Sequence, residues 1–241
     1  MAHKYKYRFG GLLFEINSPV PLLEKEELSA FKDEGEADIV CDVVCDKVGD
    51  TVYDKNRITV YTGNKDLSSI TVANLFGFAD VGACLPDHKR FILHCSYVVL
   101  GDEAILITAP SGTGKSTLAR HFRDSLGAQI VNEDRAILFS ENGKYFAAGC
   151  WAMGSADTCL NVTAPLRAVV ILSQGRENRI LPMGSGEKLS KILPQCTFND
   201  KSFIGKVRII EEVSDLVSAV NVVSYECINA PSAAFELEKS I

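Results

Sequence analysis

The chain lacks an excess of positive charge, a long apolar run, an internal repeat and any low-complexity tract. Twenty-five Lys and Arg stand against 31 Asp and Glu, a formal net charge of −6. That balance offers no electrostatic footprint for nucleic acid or for an anionic membrane. No stretch approaches the roughly 20 apolar residues of a spanning helix, and Met1 to Arg8 lack the apolar core of a signal peptide. The expectation is a cytoplasmic protein that binds neither nucleic acid nor membrane. His3, His88 and His121 show no metal-ligand spacing. The only close cysteine pair among eight, Cys41 and Cys45, lies in an alternating strand-like segment. Four residues along a strand span roughly 13 Å, too far to share a zinc ion or a disulfide. The cysteines therefore read as small core residues in a reducing compartment.

What is present is ordinary globular material: 241 residues, 46% hydrophobic and 23% charged, enough to bury a sizeable core. Strand-like segments fill the first 90 residues (Tyr5–Phe9, Leu12–Ile16, Ile39–Cys45, Arg57–Tyr61, Ser69–Val72), with turn formers such as Thr62-Gly63-Asn64 between them and a short acidic helix at Glu24–Phe31. Phe91–Val99 and Glu103–Thr108 then form a hairpin across Gly101-Asp102. A helix runs over Lys115–Leu126, with Leu118, Phe122 and Leu126 as its buried stripe and Gly127 as its stop. Gln129–Asn132, Ala136–Ser140 and Lys144–Ala148 follow as strands, the last two joined across Glu141-Asn142-Gly143. Ala168–Leu172 and Val222–Cys227 are further strands. A long helix begins behind an Asn199/Asp200 cap, with Phe203, Val207, Ile210, Val213 and Val217 at helical spacing, and a last one starts near Pro231. The fold class is mixed α/β, with largely antiparallel sheets around the helix at Lys115.

Ala109-Pro110-Ser111-Gly112-Thr113-Gly114-Lys115-Ser116-Thr117 directly follows the apolar run Ala104–Ile107. A strand that delivers a glycine-rich loop into a helix is the context of a phosphate-binding P-loop. Ser111 to Thr117 are the candidate nucleotide-binding residues. Lys115 can reach the β- and γ-phosphates, and the Ser116 hydroxyl can ligate Mg²⁺. The pattern departs at its first glycine, which is Ala109. Shortly after the helix, the strand Gln129–Asn132 ends in the adjacent carboxylates Glu133 and Asp134. Phosphoryl transfer needs one acid to hold the metal and one to orient or deprotonate the attacking hydroxyl, and this pair can divide the two roles. Only 18 residues separate Lys115 from Glu133, so the acidic strand comes straight after the loop helix. The chain then reads as one compact domain over residues 1–241. Its β-rich N-terminal stretch, residues 1–90, adds strands to the same sheet as the P-loop region, residues 91–241.

From His94 to Asp134 the chain resembles the catalytic half of the HPr kinase/phosphorylase superfamily, relatives of phosphoenolpyruvate carboxykinase. The resemblance rests on His94 on the strand before a glycine turn, the loop Ala109–Thr117, a short helix, Gly127, and the strand Ile130 to Arg135. Gly149-Cys150-Trp151 and Ala164-Pro165-Leu166 extend it over roughly residues 90–180. It implies ATP- and Mg²⁺-dependent phosphorylation of a hydroxyl, such as a serine of a peptide or protein or a small hydroxylated metabolite. It puts Lys115 and Ser116 on nucleotide and metal, Glu133 and Asp134 in the places of paired aspartates, and His94 beside the transferred phosphate. Which acid is base and which is metal ligand stays open, as do the phosphate donor and a homo-oligomer. Thr117 stands where true HPr kinases carry an acidic residue, and their long C-terminal signature is missing; a smaller relative with another acceptor is implied. A nucleotide-binding regulatory NTPase is the alternative.

On its own, His94 reads as a core histidine. Trp151 reads as a core plug before an acceptor-pocket wall, Asn161 as a turn residue, Arg176 and Arg179 as a solvated loop, and Gly184-Ser185-Gly186 as an ordinary loop.

Overall fold

The computed structural model describes residues 2–63, 66–67, 69–154, 158–198 and 203–241. The strands are β1 (His3–Phe9), β2 (Leu12–Ser18), β3 (Ile39–Val44), β4 (Val52–Asp54), β5 (Arg57–Tyr61), β6 (Arg90–Leu100), β7 (Glu103–Thr108), β8 (Gln129–Asn132), β9 (Arg135–Glu141), β10 (Lys144–Ala148), β11 (Thr163–Gln174), β12 (Arg179–Leu181), β13 (Cys196–Thr197) and β14 (Asn221–Cys227). The helices are α1 (Val72–Phe78), α2 (Lys115–Leu126), α3 (Ser185–Ile192), α4 (Phe203–Ala219) and α5 (Ser232–Glu238). The architecture is mixed α/β with mixed sheets. Among the described residues no helix is long and apolar enough to cross a membrane.

The first five strands form their own sheet, in the order β1-β2-β3-β5-β4, and the other nine form a second sheet along β10-β9-β6-β7-β11-β14-β12, with β8 and β13 also on β6. The expectation that the β-rich stretch adds strands to one common sheet is therefore corrected. One flank of the larger sheet is taken, because β10 pairs with the start of β11, Phe146 opposite Pro165. That pairing closes β6, β7, β11, β10 and β9 on themselves and leaves no edge there for β1 to β5. The smaller sheet packs against the larger one instead. Trp151, 4% exposed, sits among Phe9, Phe14 and Phe76 with ring centroids 5.2, 5.9 and 5.0 Å away. Arg90 Nε donates to the carbonyl of Gly10 at 2.7 Å, and Asn161 Nδ2 donates to that of Ala30 at 2.6 Å. Trp151 is thus a core residue, as its sequence context suggests.

Most strand pairs are antiparallel, but β7, β11 and β14 run parallel at the centre. Their C-terminal ends lie side by side, where a crevice forms in an α/β sheet. α2 covers one face of this trio with Leu118, Ala119 and Phe122 buried, and α5 joins it through Ala233, Ala234 and Leu237. α4 covers the other face, but through Ile209, Val213, Leu216 and Val217. Val207 and Ile210, expected in its buried stripe, are 38% and 42% exposed, because the helix presents a face turned one residue from the one the spacing selects. The Asn199/Asp200 cap and Asn64 lie outside the described residues.

Other local corrections follow the same logic. The short helix expected at Glu24–Phe31 is a 3-10 helix that begins at Glu26. Ser69–Val72 is not a strand: the Thr71 hydroxyl accepts the N–H of Asn74 at 3.1 Å and caps α1. Gly184-Ser185-Gly186 opens α3. Arg179 lies in β12 and pairs with Glu177 and Glu226. The two tight hairpins are where the turn residues put them, with Gly101 at φ +63° and the Asn142-Gly143 pair at +51° and +76°.

Candidate functional site

β7 ends at Thr108 and the chain turns through Ala109–Gly114 into α2. Gly112 at φ +79° and Gly114 at φ +109° take backbone conformations that L side chains avoid. Gly114 is also the N-cap of α2 and brings no side chain to satisfy the first-turn amides. Those N–H groups and the positive end of the helix dipole face the space above the loop. Lys115 is 7% exposed and lies back over the loop, its Nζ donating to the carbonyls of Ala109 at 2.9 Å and Pro110 at 3.4 Å. Burial lowers its pKa from the usual lysine range, against the pull of nearby Asp134.

The other wall comes from β6 and from the turn between β8 and β9. β6 runs between two neighbours: on one edge its residues 90–94 pair with β9, His94 opposite Arg135, and residues 97–99 with β8, while on the other edge Cys95 lies opposite Thr108 of β7. The Thr108 hydroxyl donates to the His94 carbonyl at 2.8 Å, and the Cys95 N–H donates to the Asp134 carbonyl at 3.0 Å. These bonds bring the loop strand, the histidine and the acid turn together. Asn132 holds the turn: it is fully buried, and its Oδ1 accepts the N–H groups of Asp134 at 2.8 Å and Arg135 at 3.0 Å. Its Nδ2 donates to the carbonyls of Ala152 and Cys150 at 2.7 and 3.3 Å. Gly154 at φ +58° presses on the Asp134 side chain, where an added Cβ would meet the Asp134 Cβ at 3.0 Å.

His94, Ser111, Gly112, Gly114, Lys115, Ser116, Thr117, Glu133 and Asp134, nine of the residues singled out in the sequence, line one cleft of about 360 Å³. Thr113 is apart from it; its hydroxyl donates back to the Pro110 carbonyl at 2.8 Å. His94 Nε2 is 3.8 Å from Asp134 Oδ1, and His94 Nδ1 makes a hydrogen bond of 3.1 Å with Gln195 Oε1. Burial, with the Lys115 ammonium adding to it, lowers the His94 pKa below its ordinary value, so the ring is neutral at pH 7. Arg135 Nε approaches Asp134 Oδ2 at 3.3 Å, and Arg120 Nε approaches Glu133 Oε1 at 3.5 Å. Among the described residues, no group of three or more His, Cys, Asp and Glu is arranged to hold a metal ion by itself. Beneath the site, burial pushes the Cys150 thiol up to about 12 and the Cys95 thiol well above its ordinary value. Both stay protonated and unreactive.

The sequence reading missed Arg120, Gln195 and Asn132. Arg120 follows Ser116 by four residues on α2, so it shares that face of the helix and could have been found. An Asn two residues before a turn amide is also a recognisable signal. Gln195 is 101 residues from His94 and has no local signal. A larger cleft of about 720 Å³ runs from the loop to α3, with Gln195, Ser190 and Ser111 in its wall.

No family model matches the chain, and no curated protein matches it. Among solved structures, it is similar to the Hpr(Ser) kinase/phosphatase from Coxiella burnetii, at 14% identity and a TM-score of 0.33, over 61% of this chain and 91% of that one. A likeness at this level does not carry fold or activity from one protein to the other.

Proposed function

We propose that the chain is an HPr-kinase-like phosphotransferase, moving the γ-phosphate of ATP with Mg²⁺ onto a hydroxyl acceptor: a serine of a peptide or protein, or a small hydroxylated metabolite. The observation that carries it is the meeting, in one cleft, of an uncapped helix N-terminus, a buried lysine, two adjacent carboxylates and a neutral histidine. Phosphoryl transfer asks for little besides positioning and charge stabilisation, and this cleft offers both signs of charge within a few ångströms.

In this reading the amides of Gly112 to Ser116 and the α2 dipole hold the phosphates. Lys115, already largely buried, supplies charge on the transferring group. The donor set fits a hard divalent cation that keeps water and phosphate ligands, since it offers one hydroxyl and carboxylates rather than a closed protein cage. Ser116 and Glu133 would hold Mg²⁺, which supplies neutralisation of the phosphate charge. Asp134 takes the proton of the acceptor hydroxyl, and His94 Nε2, 3.8 Å away, can share it. The acceptor enters along the cleft that leads from α3 past Gln195.

Transfer of label from γ-³²P-ATP and Mg²⁺ into a native-host extract tests the reading, with Lys115→Ala as control. A labelled peptide or metabolite that disappears with Lys115→Ala supports it. Glu133→Gln and Asp134→Asn should then lower turnover more than nucleotide affinity. Release of free phosphate alone, with no labelled acceptor, would replace it by a regulatory NTPase.

A further inference from the structure

A second cleft, of about 410 Å³, shares Gly112, Gly114 and Thr117 with the first but leaves the loop along the opposite side of α2, past Leu118 and His121. Its far wall is the end of β11 and the turn that carries β14 toward α5. The size is in the range of about 300–1,000 Å³ that small-molecule sites occupy. Leu118, Leu172 and Ile228 give it apolar walls, and Asn229, His121 and Gln174 give it a polar rim. The rim is organised. His121 Nε2 and Asn229 Oδ1 are 3.1 Å apart, and Gln174 Nε2 donates to the Thr113 carbonyl at 3.2 Å, tying the rim to the loop itself.

We infer that this cleft takes the adenine base of the nucleotide whose phosphates lie on the loop, an inference that rests on the function proposed above. A ligand anchored on Gly112 to Ser116 has two ways off the loop. One leads to the carboxylates and the histidine, where only the transferring phosphate is useful. The other leads into this uncharged cleft, and among the side chains that line it none is a Lys, Arg, Asp or Glu. A flat ring with apolar faces and a polar edge suits it. The edge chemistry is that of adenine. With Oδ1 bonded to His121, Asn229 offers its amide N–H groups to a ring nitrogen. With Nε2 bonded to Thr113, Gln174 offers Oε1 to an exocyclic amine. Guanine would set a carbonyl against the Gln174 oxygen and a ring N–H against the Asn229 amide hydrogens. Pyrophosphate, as a donor, would make no use of the cleft.

Calorimetric titration of the whole chain with Mg²⁺ and ATP, GTP, CTP or inorganic tripolyphosphate separates these donors. ATP should bind about tenfold or more tightly than GTP, CTP and tripolyphosphate. Asn229→Ala and His121→Ala should each weaken ATP about threefold to tenfold, the loss expected for one hydrogen bond, and leave tripolyphosphate unchanged. Ile228→Trp, which fills the cleft from the half-buried turn after β14, should abolish the preference for ATP over tripolyphosphate. Equal affinity for all three nucleotides, or variants that weaken tripolyphosphate as much as ATP, overturns the inference while leaving a phosphate site. If wild type binds none of the four, the proposed function itself falls.

Discussion

Replacing Asn132 with alanine tests how the acid turn is held. The side chain is fully buried and makes four hydrogen bonds, two to backbone N–H groups of the turn and two to carbonyls of the segment that crosses it. At about 1 kcal/mol net per bond, the loss would approach 4 kcal/mol. Two features reduce it. The Cys150 carbonyl keeps another donor, the Cys159 thiol at 2.7 Å, and its bond to Asn132 is the longest of the four at 3.3 Å. The Asp134 side chain is 30% exposed, so water can reach the turn amides. The expected destabilisation is about 2–3 kcal/mol, read by urea unfolding with an unchanged m-value. In kinetics, nucleotide affinity should hold, since the loop is untouched, while turnover falls because Asp134 is no longer fixed. A loss below about 1 kcal/mol would show that the turn keeps its shape without Asn132, and the account of the site's preorganisation would fail.

Trp151→Ala should cost about 3–5 kcal/mol by the cavity it leaves between the two sheets; a cost under about 1.5 kcal/mol in chemical unfolding would mean the sheets do not share a core there. His94 has its pKa lowered by burial, so the unfolded chain binds its proton at higher pH than the folded chain does. Stability is then complete above the unfolded value of about 6.5 and falls as pH drops below it. His88, lowered by the same cause, acts in the same direction. His94→Gln should therefore flatten the decline of unfolding free energy between pH 7 and 5, and an unchanged profile would refute the assignment. Arg120→Ala should lower turnover roughly tenfold, equivalent to about 1.4 kcal/mol at the barrier, and nucleotide affinity less. Steady-state kinetics beside direct binding would show it, and an unaltered turnover would remove Arg120 from the site.

Much of the site was legible in the sequence because it is local. A strand, a glycine loop, a helix and the next strand are consecutive, so spacing alone brings Lys115, Ser116, Glu133 and Asp134 to one end of the sheet. The cleft's lining shows those four together. His94 needed more: on periodicity it is a strand residue among apolar neighbours, and only the register of β6 against β9 sets it beside Asp134. Gln195 reaches it from the turn after α3, through a loop closure no spacing encodes. The short helices α1 and α3 were missed because a helix such as the seven-residue α1 is specified by its cap and its packing rather than by periodicity. The independence of the smaller sheet was missed because strand patterns say which residues are buried but not which edge is free.

The offset of the two ladders on the two edges of β6 bears on how the site comes into being. Residues 90–94 are zipped to β9 on one edge of the strand and residues 95–100 to β7 on the other, so the histidine stands where one ladder ends and the other begins. Each ladder can form without the other, but the constellation exists only once both have closed. β11 must also arrive from residues 163–174 to complete the ring with β10. Such long-range closures are slow relative to helix formation. Chains arrested early would therefore be rich in helix and hairpin yet have no assembled site. The capacity for chemistry should be among the last properties a refolding chain acquires and among the first a loosened one gives up.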